Sequence, residues 1–277
     1  MIKKIFVNEY EKVTNEILIA TCTKLGATVY PKVRVADVLS NVDREHFSFA
    51  LKSHFDFVIV NKEDEPLFVV EVDGVFHNDI KQKQRDQKKN YLCSLCNFPI
   101  LRINSRYLIE KYRKFSLLSW LIEMWFLREA FFDAQENGLI PGDEIFAPEA
   151  IMYVGDKNEL FPFYLTHEIN RKLLKLYECG RIHQPGTSCW IGKDKDNNYH
   201  GISYLKVTKD KGIFVTSAMK TQNFPIVGAD LLDSIMASDL YERFFVEHQK
   251  NIMVSNDFII NKINEYQALF GGICGQM

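Results

Sequence analysis

Asp56, Glu71 and Asp73 stand at the ends of two neighbouring apolar runs, FDFVIV and LFVVEVD. Residues two apart in a strand share a face, so Glu71 and Asp73 project together. Asp56, at the start of the paired run, reaches the same face if the hairpin is regular, and Gly74 lets the chain turn sharply beside the cluster. Carboxylates gathered at a sheet are costly unless a cation lies among them. Hard oxygen donors suit Mg²⁺ or Mn²⁺. Such an ion can polarise a phosphate, acidify a bound water and steady a departing oxyanion. The chemistry expected of this trio is therefore metal-assisted hydrolysis of a phosphodiester, with the ion lying among the acids. Any one of them alone reads more simply as a solvated or salt-bridged strand end.

The elements that must position these acids can be read from periodicity. Apolar residues recur at helical spacing from Asn8 to about Lys24, with Asn8 as N-cap and Gly26 at the stop. ATVYPKVRV is β-branched and alternating, a strand interrupted at Pro31. ADVLSNVDREHFSFALKSH reads as a short helix or loop. FDFVIV and LFVVEV form a hairpin across NKEDEP. Asp79 to about Leu95 has the charges of a helix, with Asn97 as its stop, and FPILRI is a further buried strand. The order expected is helix, three strands, helix, strand.

With 277 residues the chain has room for one large or two modest domains. A long helix over 106–136, capped by Asn104 or Ser105 and ended at Asn137–Gly138, closes the first half. The expected domains are 1–137 and 138–277. The second is α+β, with a helix over 166–179, a meander over 188–192, 200–208 and 213–218, and two closing helices, 229–250 and 257–270. The final GGICGQM reads as a frayed tail. Helix 106–136 carries Trp120, Trp125, Phe126, Phe131 and Phe132, more apolar surface than a solvated connector needs. That surface packs against both halves of the chain or against a second subunit, which points to a homodimer or to docking in a larger complex.

A net charge of −2 excludes a global polycation, so any nucleic-acid contact must come from a local basic surface. Scattered cysteines, the absence of a secretory signal and the lack of a membrane-length apolar run point to a cytoplasmic protein without a membrane anchor. Cys93 and Cys96 form a CxxC inside the charged helix, and Cys179, His183 and Cys189 with His200 make a loose set; buried thiols explain these better than zinc. No phosphate-cradling Gly-rich loop and no G-x-S-x-G elbow occurs.

The segments YPKVRVADVL, FDFVIV, EVDGVFH, QKQRDQKK and FPILRI, in this order, resemble the PD-(D/E)XK nuclease superfamily over about 8–103. Its restriction-endonuclease-like branch with an E-x-D-G-x-x-H strand end, related to very-short-patch-repair endonucleases, is the nearest likeness. The resemblance implies an α-β-β-β-α-β core of α/β (α+β) class. It also implies Mg²⁺- or Mn²⁺-dependent hydrolysis of DNA, less often RNA, and a role in defence against foreign DNA or in repair suits it. It makes Asp56 the motif aspartate and Glu71 the following acid, with Glu11 on the first helix completing the metal site and Glu9 or Glu16 as alternatives. It gives His77 a possible part as a base or phosphate donor.

The departure from the pattern is at Asp73, where the superfamily has a lysine that orients the attacking water and neutralises charge. Asp73 is either a further metal ligand or is compensated by a side chain of the next helix. The candidates there are Gln82, Gln84, Lys88 and Lys89, and the motif match favours Gln82 and Lys88. On the same helix Lys81, Lys83, Arg85 and Lys89 can follow a phosphate backbone, with His54 as a further phosphate contact. The competing expectation is a catalytically degenerate nuclease-fold subunit that binds nucleic acid or scaffolds a complex.

Overall fold

The apolar runs on either side of NKEDEP fold as expected into an antiparallel hairpin. β2 (His54–Val60) pairs with β3 (Pro66–Asp73) through Phe57↔Val70 and Val58↔Val69. Asn61 closes the turn, its Oδ1 accepting from the Glu63 and Glu65 N–H groups at 3.0 and 2.8 Å, and Asp64 takes positive φ. The structure, a computed structural model, describes residues 9–73, 80–108, 116–146, 164–225, 228–247 and 253–276. Asn8, Gly74 and His77 lie outside them.

The protein is of mixed α/β class, and it divides into two compact units: residues 1–148 with 222–226, and 149–221 with 227–277. A short return segment, 222–226, belongs to the first unit.

In the first unit α1 (Glu9–Lys24) precedes β1 (Thr28–Arg34), which pairs antiparallel with β2. Two short helices, α2 (Val35–Val38) and α3 (Arg44–Lys52), occupy the connection read as helix or loop. After β3 come α4 (Ile80–Leu95) and β4 (Ile100–Asn104), and β4 lies parallel to β3. The sheet order is β1-β2-β3-β4. Val58, Val60, Val69 and Ile100 pack with Leu92 and Cys93 of α4 and with residues of α2 and α3. Phe68, pointing the other way, meets Trp125 and Phe126 at centroid distances of 4.7 and 6.3 Å.

Two expectations need correction here. Pro31 does not interrupt β1; it pairs with Phe57, an edge strand tolerating the missing N–H, and the irregularity falls on Lys32 at φ 56. The long helix, α5, begins at Leu117, where the Ser116 hydroxyl accepts from Ser119 N–H; Ser105–Tyr107 is a separate 3₁₀ turn. Its Leu118, Trp120, Leu121, Ile122, Met124 and Trp125 are buried, while Phe126 and Phe131 are partly exposed and Phe132 is exposed. The edge of β4 is covered. Ile100 N–H donates to Asn223 O, Arg102 N–H to Gln222 Oε1, and Phe224 packs on Phe68. The return segment thus covers backbone groups that an edge strand leaves unpaired.

The second unit holds α6 (Tyr164–Glu178), β5 (Ser188–Lys193), β6 (Tyr199–Lys206), β7 (Lys211–Met219), α7 (Gly228–Glu247), β8 (Val254–Ser255), α8 (Asn256–Leu269) and β9 (Gly271–Gln276). β5, β6 and β7 form the expected antiparallel meander in a sheet of order β8-β7-β6-β5-β9. GGICGQM is therefore not a frayed tail: residues 271–276 pair with β5. Glycine is required at that junction, since a Cβ on Gly192 would stand 2.5 Å from Gly271 O. No described helix is long and apolar enough to cross a membrane.

Candidate active site

The hairpin register that pairs Phe57 with Val70 carries Asp56 and Glu71 to the next position along the same two strands. Asp56 Oδ2 accepts the Val72 N–H at 3.0 Å, which locks its carboxylate to β3. Alternation turns Glu71 to the α4 face, together with Val69. Its side chain is only 5% exposed.

The cations among these acids are the protein's own. Lys89 of α4 places its buried ammonium 2.7 and 2.8 Å from the two Glu71 oxygens and 5.8 Å from the centre of the Phe55 ring. Arg102, opposite Glu71 on the parallel strand β4, has Nη1 3.0 Å from Asp73 Oδ1, 3.4 Å from Asp86 Oδ1 and 3.9 Å from Glu71 Oε2. Its Nε donates to Asn90 Oδ1 at 2.7 Å. On the β1 side, Lys32 Nζ bridges Asp56 Oδ1 at 2.7 Å and Glu11 Oε1 at 3.0 Å. Glu11 is thus the α1 acid tied into the cluster. Among the described residues no three His, Cys, Asp or Glu side chains gather as a ready metal-binding group.

Apart from His77, which lies outside the described residues, the expected residues have definite places. Asp56 and Glu71 come together, and Asp73 is turned to Arg102. Lys89, expected both on the phosphate-facing surface and among the four helix candidates for the acids, is the helix residue on Glu71, whereas the favoured Gln82 and Lys88 are not. Lys88, one position earlier, lies 5.6 Å over the Phe49 ring and lines a groove with His46, Gln84, Gln87 and Tyr91. Gln82 donates to Asp86 at 3.2 Å. Lys81, Lys83 and Arg85 are exposed on α4, and His54 is exposed at the start of β2. In the second unit His200 bonds Asp194 at 3.0 Å and stacks on Phe270. Lys32 and Arg102 were not among the expected site residues. Their signal was present only as basic positions inside YPKVRV and FPILRI, which any strand edge can carry.

Burial pushes the Glu71 carboxyl up to about 7, with the charge of Asp56 adding to it; Lys89 and Arg102 oppose the rise but do not cancel it. Burial likewise drives the neighbouring Cys93 thiol up to about 12, with Glu71 adding to the rise, leaving an inert thiol. Partial burial presses the Lys32 ammonium down, yet its bonds and attraction to Asp56 and Glu11 hold it above the ordinary lysine value. The raised carboxyl has a sign. Between the ordinary value of 4.5 and about 7 the folded state holds a proton at Glu71 that the unfolded chain has released. Its contribution to stability is therefore full below 4.5 and is lost as pH rises through about 7. Urea midpoints across that window should fall more steeply in the wild type than in Glu71→Gln; equal slopes would contradict the assignment.

Residues 3–115 match the model of a family described as a protein of unknown function, DUF2726. The match takes in the whole acid cluster from Glu11 to Arg102. No curated protein and no solved structure matches the chain.

Proposed function

We propose that the first unit is a metal-dependent endonuclease that hydrolyses phosphodiester bonds, in DNA more readily than in RNA. The observation that carries this is the convergence of Asp56 and Glu71 on adjacent strands with the Lys89 ammonium on Glu71. The order α1-β1-β2-β3-α4-β4, interrupted only by α2 and α3, is the one the nuclease resemblance leads one to expect. Asp73 stands where that resemblance expects a lysine, and Lys89 supplies from the helix the charge missing from the strand.

Asp56 and Glu71, hard oxygen donors on one face, would hold Mg²⁺ or Mn²⁺. When bound, the ion polarises the phosphate and acidifies a water. Lys89, fixed between Glu71 and Phe55, would donate a hydrogen bond toward the attacking water and offset negative charge on the phosphoryl oxygens. Arg102 neutralises Asp73 and Asp86, so that neither repels the incoming phosphate. Lys81, Lys83 and Arg85 face solvent and contact flanking phosphates. Cutting both strands of a duplex with one site per chain calls for two copies, and a homodimer is part of this reading.

The test is incubation of the full chain with circular and linear duplex DNA, single-stranded DNA and RNA, with Mg²⁺ or Mn²⁺ and then with excess EDTA. Cleavage that needs the ion and stops with EDTA is expected. Binding without cutting on every substrate would favour the degenerate subunit. One observation speaks for that alternative: each acid already has a basic partner in the fold.

A further inference from the structure

Lys32 is the one lysine among the described non-glycine residues at positive φ; the others, Asp64, Asn97 and Asn197, are residue types that tolerate this conformation. It lies inside a strand rather than in a turn. The ladder holds its register on either side, Pro31↔Phe57 and Val33↔Phe55, and Lys32 itself drops out of it. Its Nζ sits between Asp56 and Glu11, at 2.7 and 3.0 Å. Unlike Lys89, whose side chain is 11% exposed, Lys32 is 51% exposed. Its ammonium can swing into water at little desolvation cost, whereas that of Lys89 cannot.

Resting on the metal-dependent reading above, we infer that Lys32 is an exchangeable counter-cation that holds Glu11 and Asp56 together in the ion-free protein and competes with the divalent ion for them. Two carboxylates with no cation between them would repel and splay. The lysine keeps α1 and β2 in place and weakens binding of the ion, which must displace it. Once displaced, the ammonium is freed beside the site.

The measurement is titration with Mn²⁺ followed by the electron paramagnetic resonance signal of the free ion. Lys32→Met removes the ammonium at similar length. Lys32→Gly removes it and suits the positive φ, so a folded variant is secured. Lys12→Met, at an exposed lysine next to Glu11 in sequence, controls for loss of one positive charge. Displacement predicts Mn²⁺ affinity about tenfold tighter in both Lys32 variants and at most about twofold tighter in Lys12→Met. Affinity in the Lys32 variants equal to that of wild type or of Lys12→Met, or weaker than either, overturns the inference. Asp56→Asn separates the two levels. If it abolishes wild-type Mn²⁺ binding while Lys32 variants behave as wild type, only this inference fails. If Asp56→Asn leaves binding untouched, the metal reading fails and the inference falls with it.

Discussion

Lys89→Met should lower the unfolding free energy of the first unit by about 3 kcal/mol, because removing one partner strands the other as a buried charge. Glu71 would keep its burial and lose both short hydrogen bonds, with Arg102 at 3.9 Å as the cation left nearest to it. Two relief routes make the prediction sharper. Glu71 can stay protonated, since burial already raises it to about 7, so the loss should be smaller below that pH than above it. Adding Glu71→Gln to Lys89→Met removes the stranded charge and should restore most of the lost stability. Urea unfolding followed by tryptophan fluorescence reads this unit through Trp120 and Trp125, buried in it, once Trp190 of the second unit is replaced by Phe. A single variant within about 0.5 kcal/mol of wild type would mean that Glu71 does not depend on Lys89. The same variant should also lose cleavage, a loss the Glu71→Gln rescue of stability would not reverse.

Asp56→Asn should cut nuclease turnover about a thousandfold while leaving the fold intact; that loss corresponds to about 4 kcal/mol of transition-state stabilisation. The substitution is chosen for what it keeps. Asn presents a carbonyl oxygen where Asp56 Oδ2 now accepts the Val72 N–H, so the link between β2 and β3 survives. What disappears is the negative charge that faces the Lys32 ammonium and would ligate the ion. Single-turnover cleavage of a labelled duplex, with thermal melting in parallel, separates the two effects. Turnover within about tenfold of wild type in a folded Asp56→Asn protein would remove Asp56 from the mechanism.

Which parts of this site could be read in advance follows from the range of the physics involved. The hairpin, its facing acids and the helix after it rest on period-2 alternation and on Asn, Asp and Gly turn chemistry, all local signals. The start of α5 was misplaced because the stretch before Leu117 is itself a plausible helix former, and only the Ser116 cap marks the true entry. The pairing of 271–276 with β5 was missed because a glycine-rich tail has no strand propensity of its own; it is ordered by a partner far away in sequence. The cover on β4 by Gln222 and Asn223 is equally non-local.

By itself, the sequence determined that Asp56, Glu71 and Asp73 would share one end of a hairpin, with a basic helix and a short strand to follow. Only the tertiary structure decided which cation meets which acid. Lys88 and Lys89 are consecutive on α4 and point about 100° apart, so the phase of the helix on the sheet alone puts Lys89 on Glu71 and Lys88 on Phe49. Arg102 reaches Asp73 because β4 joins β3 in parallel register, and Lys32 reaches Asp56 because the β1–β2 register sets position 32 opposite position 56. Strand alternation is a property of a few neighbouring residues, whereas charge pairing across a sheet depends on how separate elements pack together.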